Sequence, residues 1–421
     1  MKRLLTIIIA AAITSSFASC TSGSAVESNG KTIVKPGIEV LKDQGFKILE
    51  GKRVGLITNP TGFDNSMKST IDVLHEAPNV NLVALFGPEH GVRGDVHAGD
   101  KVGDMNDPKT GIPVLSLYGS TRKPTPEMLQ GIDVLVYDIQ DIGSRSFTYI
   151  STMGLAMEAA AENNIEFVVL DRPNPLGGQK VEGNLAEDGF ISFVSQFKIP
   201  YIYGLTCGEL ANLLNQEGML EHKVNLTVVG MEGWKRSMRF EETGLQWVPS
   251  SPHIPHASTS VFYPTSGILG ELGYISIGVG YTIPFQMFAA EWIEAEALAD
   301  KLNSYELPGV HFRPLHVKPF YSVGAGMNYQ GVQIHILDYE KAALTEVQFY
   351  VMEALAALYP EKAVFDNANE GRYRMFDQVS GSDQIRLLFS KRHKFEDIKD
   401  YWYKDVDAFR ELSKKYYMYN N

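Results

Sequence analysis

The sequence predicts an α/β protein: a Rossmann-like arrangement of mostly parallel strands and helices, followed by a smaller α+β domain. Three observations carry the α/β expectation. Short apolar runs bounded by Gly, Pro or Asp recur through the first half, the pattern of strands covered on both faces. Helical stretches separate them, and such alternation implies parallel strands joined by right-handed crossovers. Near residue 230 the alternation gives way to a stretch rich in Pro, Gly and Ser, and 421 residues exceed what one hydrophobic core usually serves.

From the N-terminus, residues 1–19 read MKRLLTIIIAAAITSSFAS: Lys2 and Arg3 form a positive n-region, then come an apolar run and small residues. That is a secretory signal, too short for a comfortable membrane span. Cys20 follows Phe17-Ala18-Ser19 and resembles a bacterial lipoprotein cleavage site, so lipidation at Cys20 is expected. The protein is then exported, periplasmic or lipid-anchored to a membrane, with that anchor its only membrane contact. Residues 20–30, small and polar, suit a flexible tether.

The first domain is expected over 31–230, with strands at 53–58, 81–86, 114–118, 133–138, 166–171 and 225–229, and helices at 66–75, 125–129, 151–162 and 207–216. Thr206-Cys207-Gly208-Glu209 fits a capping box. Cys207 would lie in that helix's first turn, where the dipole lowers a thiol pKa, but reads better as a small buried residue. The second domain, 231–421, shows few periodic segments before residue 291. It then offers a helix at 291–303, a strand at 330–336 and helices at 343–359 and 401–416. Leu344, Val347, Val351, Leu355 and Leu358 share one face of the third of these, a packing surface rather than a cofactor box.

Composition narrows the function classes. With 44% hydrophobic and 21% charged residues the chain is neither disordered nor a polytopic membrane protein. Lys and Arg number 38 against 50 Asp and Glu, a net charge of −12, which becomes −14 once Lys2 and Arg3 leave with the signal. That argues against a nucleic-acid partner. Two cysteines cannot build a disulfide framework. No G-x-S-x-G elbow, Walker loop or helix-opening G-x-G-x-x-G occurs, and there is neither H-E-x-x-H nor a cysteine pair, so neither cofactor nor metal is expected.

In parallel sheets, ligands sit beyond the carboxyl ends of the strands. Four such ends stand out here, three of them charged: the segments holding Glu89, His90 and Arg93; Gly119, the uncharged one; Asp138, Asp141 and Arg145; and Asp171, Arg172 and Asn174. Charges of both signs beside Gly and Pro are expensive to bury unless paired. Any single Asp or Arg among them could equally staple loops together; the cluster as a whole points to an active site.

The runs FGPEHGVRG (86–94), VLSLYG (114–119), DVLVYDIQDIGSRSFTYI (133–150), VVLDRPNPLGG (168–178) and the T-x-G-E box at 206–209 resemble the exo-β-N-acetylmuramidase NamZ-like family of glycoside hydrolases, formerly a domain of unknown function. The resemblance implies a Rossmann-like first domain without a nucleotide, a smaller second domain and a cleft between them. It also implies release of N-acetylmuramic acid, or a related amino sugar, from the non-reducing end of peptidoglycan fragments. A non-hydrolytic cell-wall-sugar-binding lipoprotein of the same fold is the alternative, and hydrolysis of a different acidic glycoside a third reading.

Glycoside hydrolysis needs a carboxylic acid for the leaving oxygen and commonly a second carboxylate. Glu89, in a loop rich in Gly and Pro, is the expected acid, with Asp138 and Glu271 as further catalytic candidates; a salt bridge to Arg93 would be its structural role. His90, Arg93, Asp141, Arg145, Asp171, Arg172 and Asn174 are candidates for binding substrate, the arginines suiting the lactyl carboxylate of muramic acid. Where family members carry Asn, Arg and Thr, this chain has Tyr274, Val279 and Tyr281. Arg to Val deletes a charge and five donors, so recognition at that wall is altered.

Overall fold

Seven strands form the main sheet of the computed structural model, which describes residues 33–94, 105–119 and 121–421. They are β1 (Arg53–Thr58), β2 (Asn81–Gly87), β3 (Met105–Asn106), β4 (Pro113–Ser116), β5 (Val134–Asp138), β6 (Glu166–Leu170) and β7 (Leu226–Val229), in the order β3-β4-β2-β1-β5-β6-β7. Only β3 runs antiparallel to its neighbour. Numbering the six parallel strands alone gives 3-2-1-4-5-6, the Rossmann order, with its switch point between β1 and β5. The signal, the tether and Cys20 lie outside the described residues.

Why these runs are strands is visible in their burial. All five residues of β5 are buried, and its side chains alternate between two cores. Leu135 and Tyr137 join the larger cluster; Val134 and Val136 join the smaller one, with Ile38, Leu41 and Leu74. Helices α1 (Gly37–Asp43) and α2 (Thr70–Glu76) cover the second face, α3 (Tyr149–Glu162) and α4 (Cys207–Gln216) the first. The capping box of α4 forms as expected. Helix α2 starts four residues later than expected, because Asp64 captures the Ser66 and Lys68 amides and Ser69 caps the helix. The expected helix at 125–129 is a succession of turns instead: flanked by Pro124 and containing Pro126, it is too short to repay nucleation.

Beyond residue 258 the chain builds α5 (Thr259–Gly270), then β8 (Met287–Ala290), α6 (Ala295–Asn303), β9 (Val310–Val317), β10 (Tyr329–Ile336) and α7 (Glu346–Leu358). The three strands make an antiparallel sheet, β8-β10-β9. Short helices follow, among them α8 (Val364–Asn367), α9 (Tyr373–Ser380), α10 (Gln384–Arg392), α11 (Glu396–Tyr403) and α12 (Val406–Ser413). The single helix expected at 401–416 is thus two, with Asp405 at the break accepting from the Leu185 amide. The larger core runs on from Ile57, Phe86 and Tyr137 through Ile268 and Phe349 to Trp402.

Candidate active site

A cleft of about 530 Å³ opens beyond the carboxyl ends of the main sheet. The loop after β2 contributes Glu89 and His90, the end of β4 Tyr118 and Arg122, and the β5–α3 connection Ser146 to Tyr149. Residues 251–254, α5 with Glu271 at its C-cap, Phe285 and α9 complete the wall.

Glu89 is presented by a tight turn in which the Gly91 amide donates to the Pro88 carbonyl at 2.9 Å. His90 takes φ 74°, and Phe285, across the cleft, φ 66°. Left-handed backbone at a histidine is uncommon and at a phenylalanine a genuine outlier, so both turns are held by their surroundings. Two hydroxyls engage the Glu89 carboxylate: Thr148 Oγ1 at 3.4 Å and the Tyr118 phenol, itself pushed up to about 12 by burial and then by that carboxylate. Glu271, half-buried at the end of α5, is raised by burial, with Arg372 opposing. Burial, and then His90, lowers His253, whose Nε2 lies 2.9 Å from the Tyr321 hydroxyl. The aromatic wall is self-supporting: Phe147 meets Tyr149 edge-on at 4.9 Å and Tyr263 at 5.8 Å, and Tyr263 meets Phe285 at 4.9 Å.

Among the residues singled out from sequence, Glu89, His90 and Glu271 come together in this cleft, while the other charged candidates are absent from its lining. Asp138 is fully buried beneath the loops, accepting from Thr70 and, at 2.5 and 2.9 Å, from the Arg172 guanidinium, which also reaches the Phe63 carbonyl. Asp141 accepts from Tyr203 and, at 2.7 Å, from the Gly143 amide. Asp171 takes Thr206, Gly208 and Tyr419, the last at 2.5 Å. Burial raises Asp141 and Asp171 to about 6 each.

Arg145 is wholly buried and gives its guanidinium to the carbonyls of Asn184 (2.7 Å), Ile199 (2.6 Å) and Val379 (3.0 Å) and to Ser195. Asn174 closes a turn by accepting from Leu176 and donating to the Leu205 carbonyl. Arg93 does not pair with Glu89; it forks onto Asp107 at 2.8 and 3.0 Å. The physical reason is common to all seven: buried charge and loop backbone at the sheet edge must be satisfied from within, Arg93 and Asp138 by ion pairs and the other five by bonds to backbone. Cys207 is buried in the first turn of α4, where burial, followed by Asp141 and Asp171, raises the thiol and overrides the dipole.

Several lining residues escaped the sequence reading: Tyr118, Arg122, Thr148, Tyr149 and Tyr263. The first two follow β4, and the strand-end rule that found Glu89 reaches them too. Val279 lines an adjoining cavity of about 230 Å³ that shares Glu271, Tyr263 and Phe285 with the cleft and carries Arg372. Among the described residues, no three His, Cys, Asp or Glu side chains are grouped as metal ligands.

A water-accessible cleft with two glutamates from separate elements, walled by aromatic rings, over a Rossmann-ordered sheet, is the candidate active site, and its residues are of the kind glycoside hydrolysis uses. Residues 54–258 match the model of the exo-beta-N-acetylmuramidase NamZ N-terminal domain and 261–419 that of its C-terminal domain, and the chain belongs to this family. It is 44% identical over 408 residues to the peptidoglycan beta-N-acetylmuramidase NamZ of Bacillus subtilis, covering 96% of this chain and 97% of the relative. Two crystal structures of DUF1343 family proteins from Bacteroides fragilis are similar: one at 71% identity and TM-score 0.90, the other at 26% and 0.72. Each covers 93% of this chain and all of its own.

Proposed function

We propose that this protein is an exo-acting glycosidase that releases N-acetylmuramic acid from the non-reducing end of peptidoglycan fragments. The observation that carries the reading is the pair Glu89 and Glu271 on one cleft, in a chain that shares almost its whole length with a peptidoglycan muramidase. Family membership favours hydrolysis over sugar capture without turnover. The volume, about 530 Å³, suits a saccharide of a few atoms beyond one ring.

The two glutamates divide the chemistry by environment. Glu271, raised by burial at a helix C-terminus where the dipole disfavours negative charge, carries the proton to the leaving oxygen. Glu89, whose carboxylate already accepts from two hydroxyls, serves as nucleophile or base opposite it. This reverses the role sequence alone suggested for Glu89, and burial is the reason. The aromatic wall offers apolar surface to the sugar's C–H groups.

Purified protein incubated with 4-nitrophenyl β-N-acetylmuramide, the matching N-acetylglucosaminide and a muramic-acid-terminated disaccharide tests the reading. Release of N-acetylmuramic acid supports it; tight binding without turnover on every amino-sugar glycoside replaces it with the sugar-capture alternative. We further propose export, with residues 1–19 removed and Cys20 lipidated. Among the described residues no helix is long and apolar enough to cross a membrane. Absence of labelled palmitate from Cys20 in a membrane extract would defeat the anchor.

A further inference from the structure

The cleft is electrostatically wrong for an acidic sugar unless something in it is positive. It holds two carboxylates, Glu89 and Glu271, inside a chain of net charge −12. N-acetylmuramic acid carries a lactyl ether whose free carboxylate adds a further negative charge to that of Glu89. At separations of several ångströms, like charges repel by roughly 1 kcal/mol even in water and by more in a half-enclosed site. Three arginines favoured by the sequence are spent elsewhere: Arg93 on Asp107, Arg145 on backbone carbonyls, Arg172 on Asp138.

One permanent cation lines the cleft among the described residues, Arg122. It is exposed, and its guanidinium sits 4.4 Å from the centre of the Phe193 ring, which lines the cleft beside it. A guanidinium over a ring's face bonds through the ring's π-system, and among the described residues no hydrogen bond occupies its N–H donors, which can receive a carboxylate with two parallel bonds. We propose that Arg122, held on Phe193, binds the lactyl carboxylate of the substrate and makes the cleft select muramic acid over glucosamine. The inference rests on the function proposed above and adds the residue that sets specificity. Arg372, in the adjoining cavity, is the competing cation; it already offsets Glu271, whereas Arg122 meets an aromatic ring and, among the described residues, pairs with no carboxylate.

The test compares 4-nitrophenyl β-N-acetylmuramide with its lactyl methyl ester, in the intact protein and in Arg122→Met, Arg122→Lys and Arg372→Met. A charge-assisted pair implies a loss of roughly 10- to 100-fold in kcat/KM for Arg122→Met on the free acid, mostly in KM. The loss on the ester should be at least several-fold smaller, and Lys, keeping charge without the fork, should fall between. Equal losses on acid and ester, no loss on the acid, or transfer of the acid–ester discrimination to Arg372→Met would overturn the proposal. Should the intact protein turn over neither substrate, the muramidase reading fails by itself. Calorimetry with free N-acetylmuramic acid and N-acetylglucosamine then decides the matter for Arg122. A preference for the acid that Arg122→Met abolishes sustains it, and any other pattern refutes it.

Discussion

Replacing each cleft glutamate by glutamine should separate their roles, because the structure surrounds them differently. Glu271→Gln removes a transferable proton, and general acid catalysis is typically worth about 10²–10⁴-fold, or roughly 3–5 kcal/mol of barrier. That loss should appear on a disaccharide, whose leaving alkoxide needs the proton, and shrink by at least tenfold on a nitrophenyl glycoside, whose leaving group departs unaided. Glu89→Gln should lower turnover of both substrates to a similar degree. Its structural cost is bounded by two hydrogen bonds to the carboxylate, from Thr148 and Tyr118, about 1.5–3 kcal/mol each. Burial penalises the charged form of Glu271, so its amide should cost little or nothing in stability. Arg93→Met serves as the control, disturbing the Asp107 pair and melting temperature while leaving turnover intact. Stopped assays on both substrates, with a thermal melt of each variant, read all of this. Near-normal disaccharide hydrolysis by Glu89→Gln, or leaving-group rescue of Glu89→Gln instead of Glu271→Gln, would refute the division.

Three further outcomes follow from packing and charge. Asp141, raised to about 6 by burial, favours the fold when protonated. That stability is complete below about pH 4 and is lost as pH rises through 6, so the melting temperature of Asp141→Asn relative to the parent should climb between pH 4 and 7; a flat difference counts against it. Glu209→Gln strips the partner from Arg236, a pair buried on both sides at 2.5 Å, and should cost about 3–5 kcal/mol by urea titration, with a loss under 1 refuting the account. A methyl at Gly154 would lie 2.1 Å from the Phe197 ring, so Gly154→Ala should cost about 1–3 kcal/mol in the same titration, and an unchanged midpoint would show the ring can retreat.

The six parallel strands were legible because burial on both faces leaves no polar positions to blur the run, as in Val134 to Tyr137. Strand β9 was not: one side is wet, and His311, Arg313, Pro314 and His316 break the apolar pattern. Helix α5 was hidden by its composition, with Ser, Thr and Gly and an internal Pro264 whose carbonyl is taken by Gln348. At the site, the strand ends were legible, but which of their charges face the cleft was not. The strand-end rule led to Glu89, and the family resemblance to Glu271. The same rule also gathered Asp138, Asp171 and Arg145, because sequence does not reveal whether a charge is met from within. Arg145 finds its acceptors 39, 54 and 234 positions away, a distance over which no local pattern carries information.

The bond from Tyr419 to Asp171 joins residues 248 positions apart, and the Met418 amide reaches Glu209 across 209. The backbone of Arg236 donates to Asn420 in the same strap. A chain made from its N-terminus therefore exposes Asp171 and Glu209 long before their last partners exist. Until then Asp171 has, of the partners seen in the fold, Arg172, Thr206 and Gly208, and Glu209 has Thr206 and Arg236. The tail works as a latch across the carboxyl edge of the sheet. A bulky rigid insertion directly after Tyr419 should therefore slow the closing of the carboxyl edge, whereas a flexible one should not.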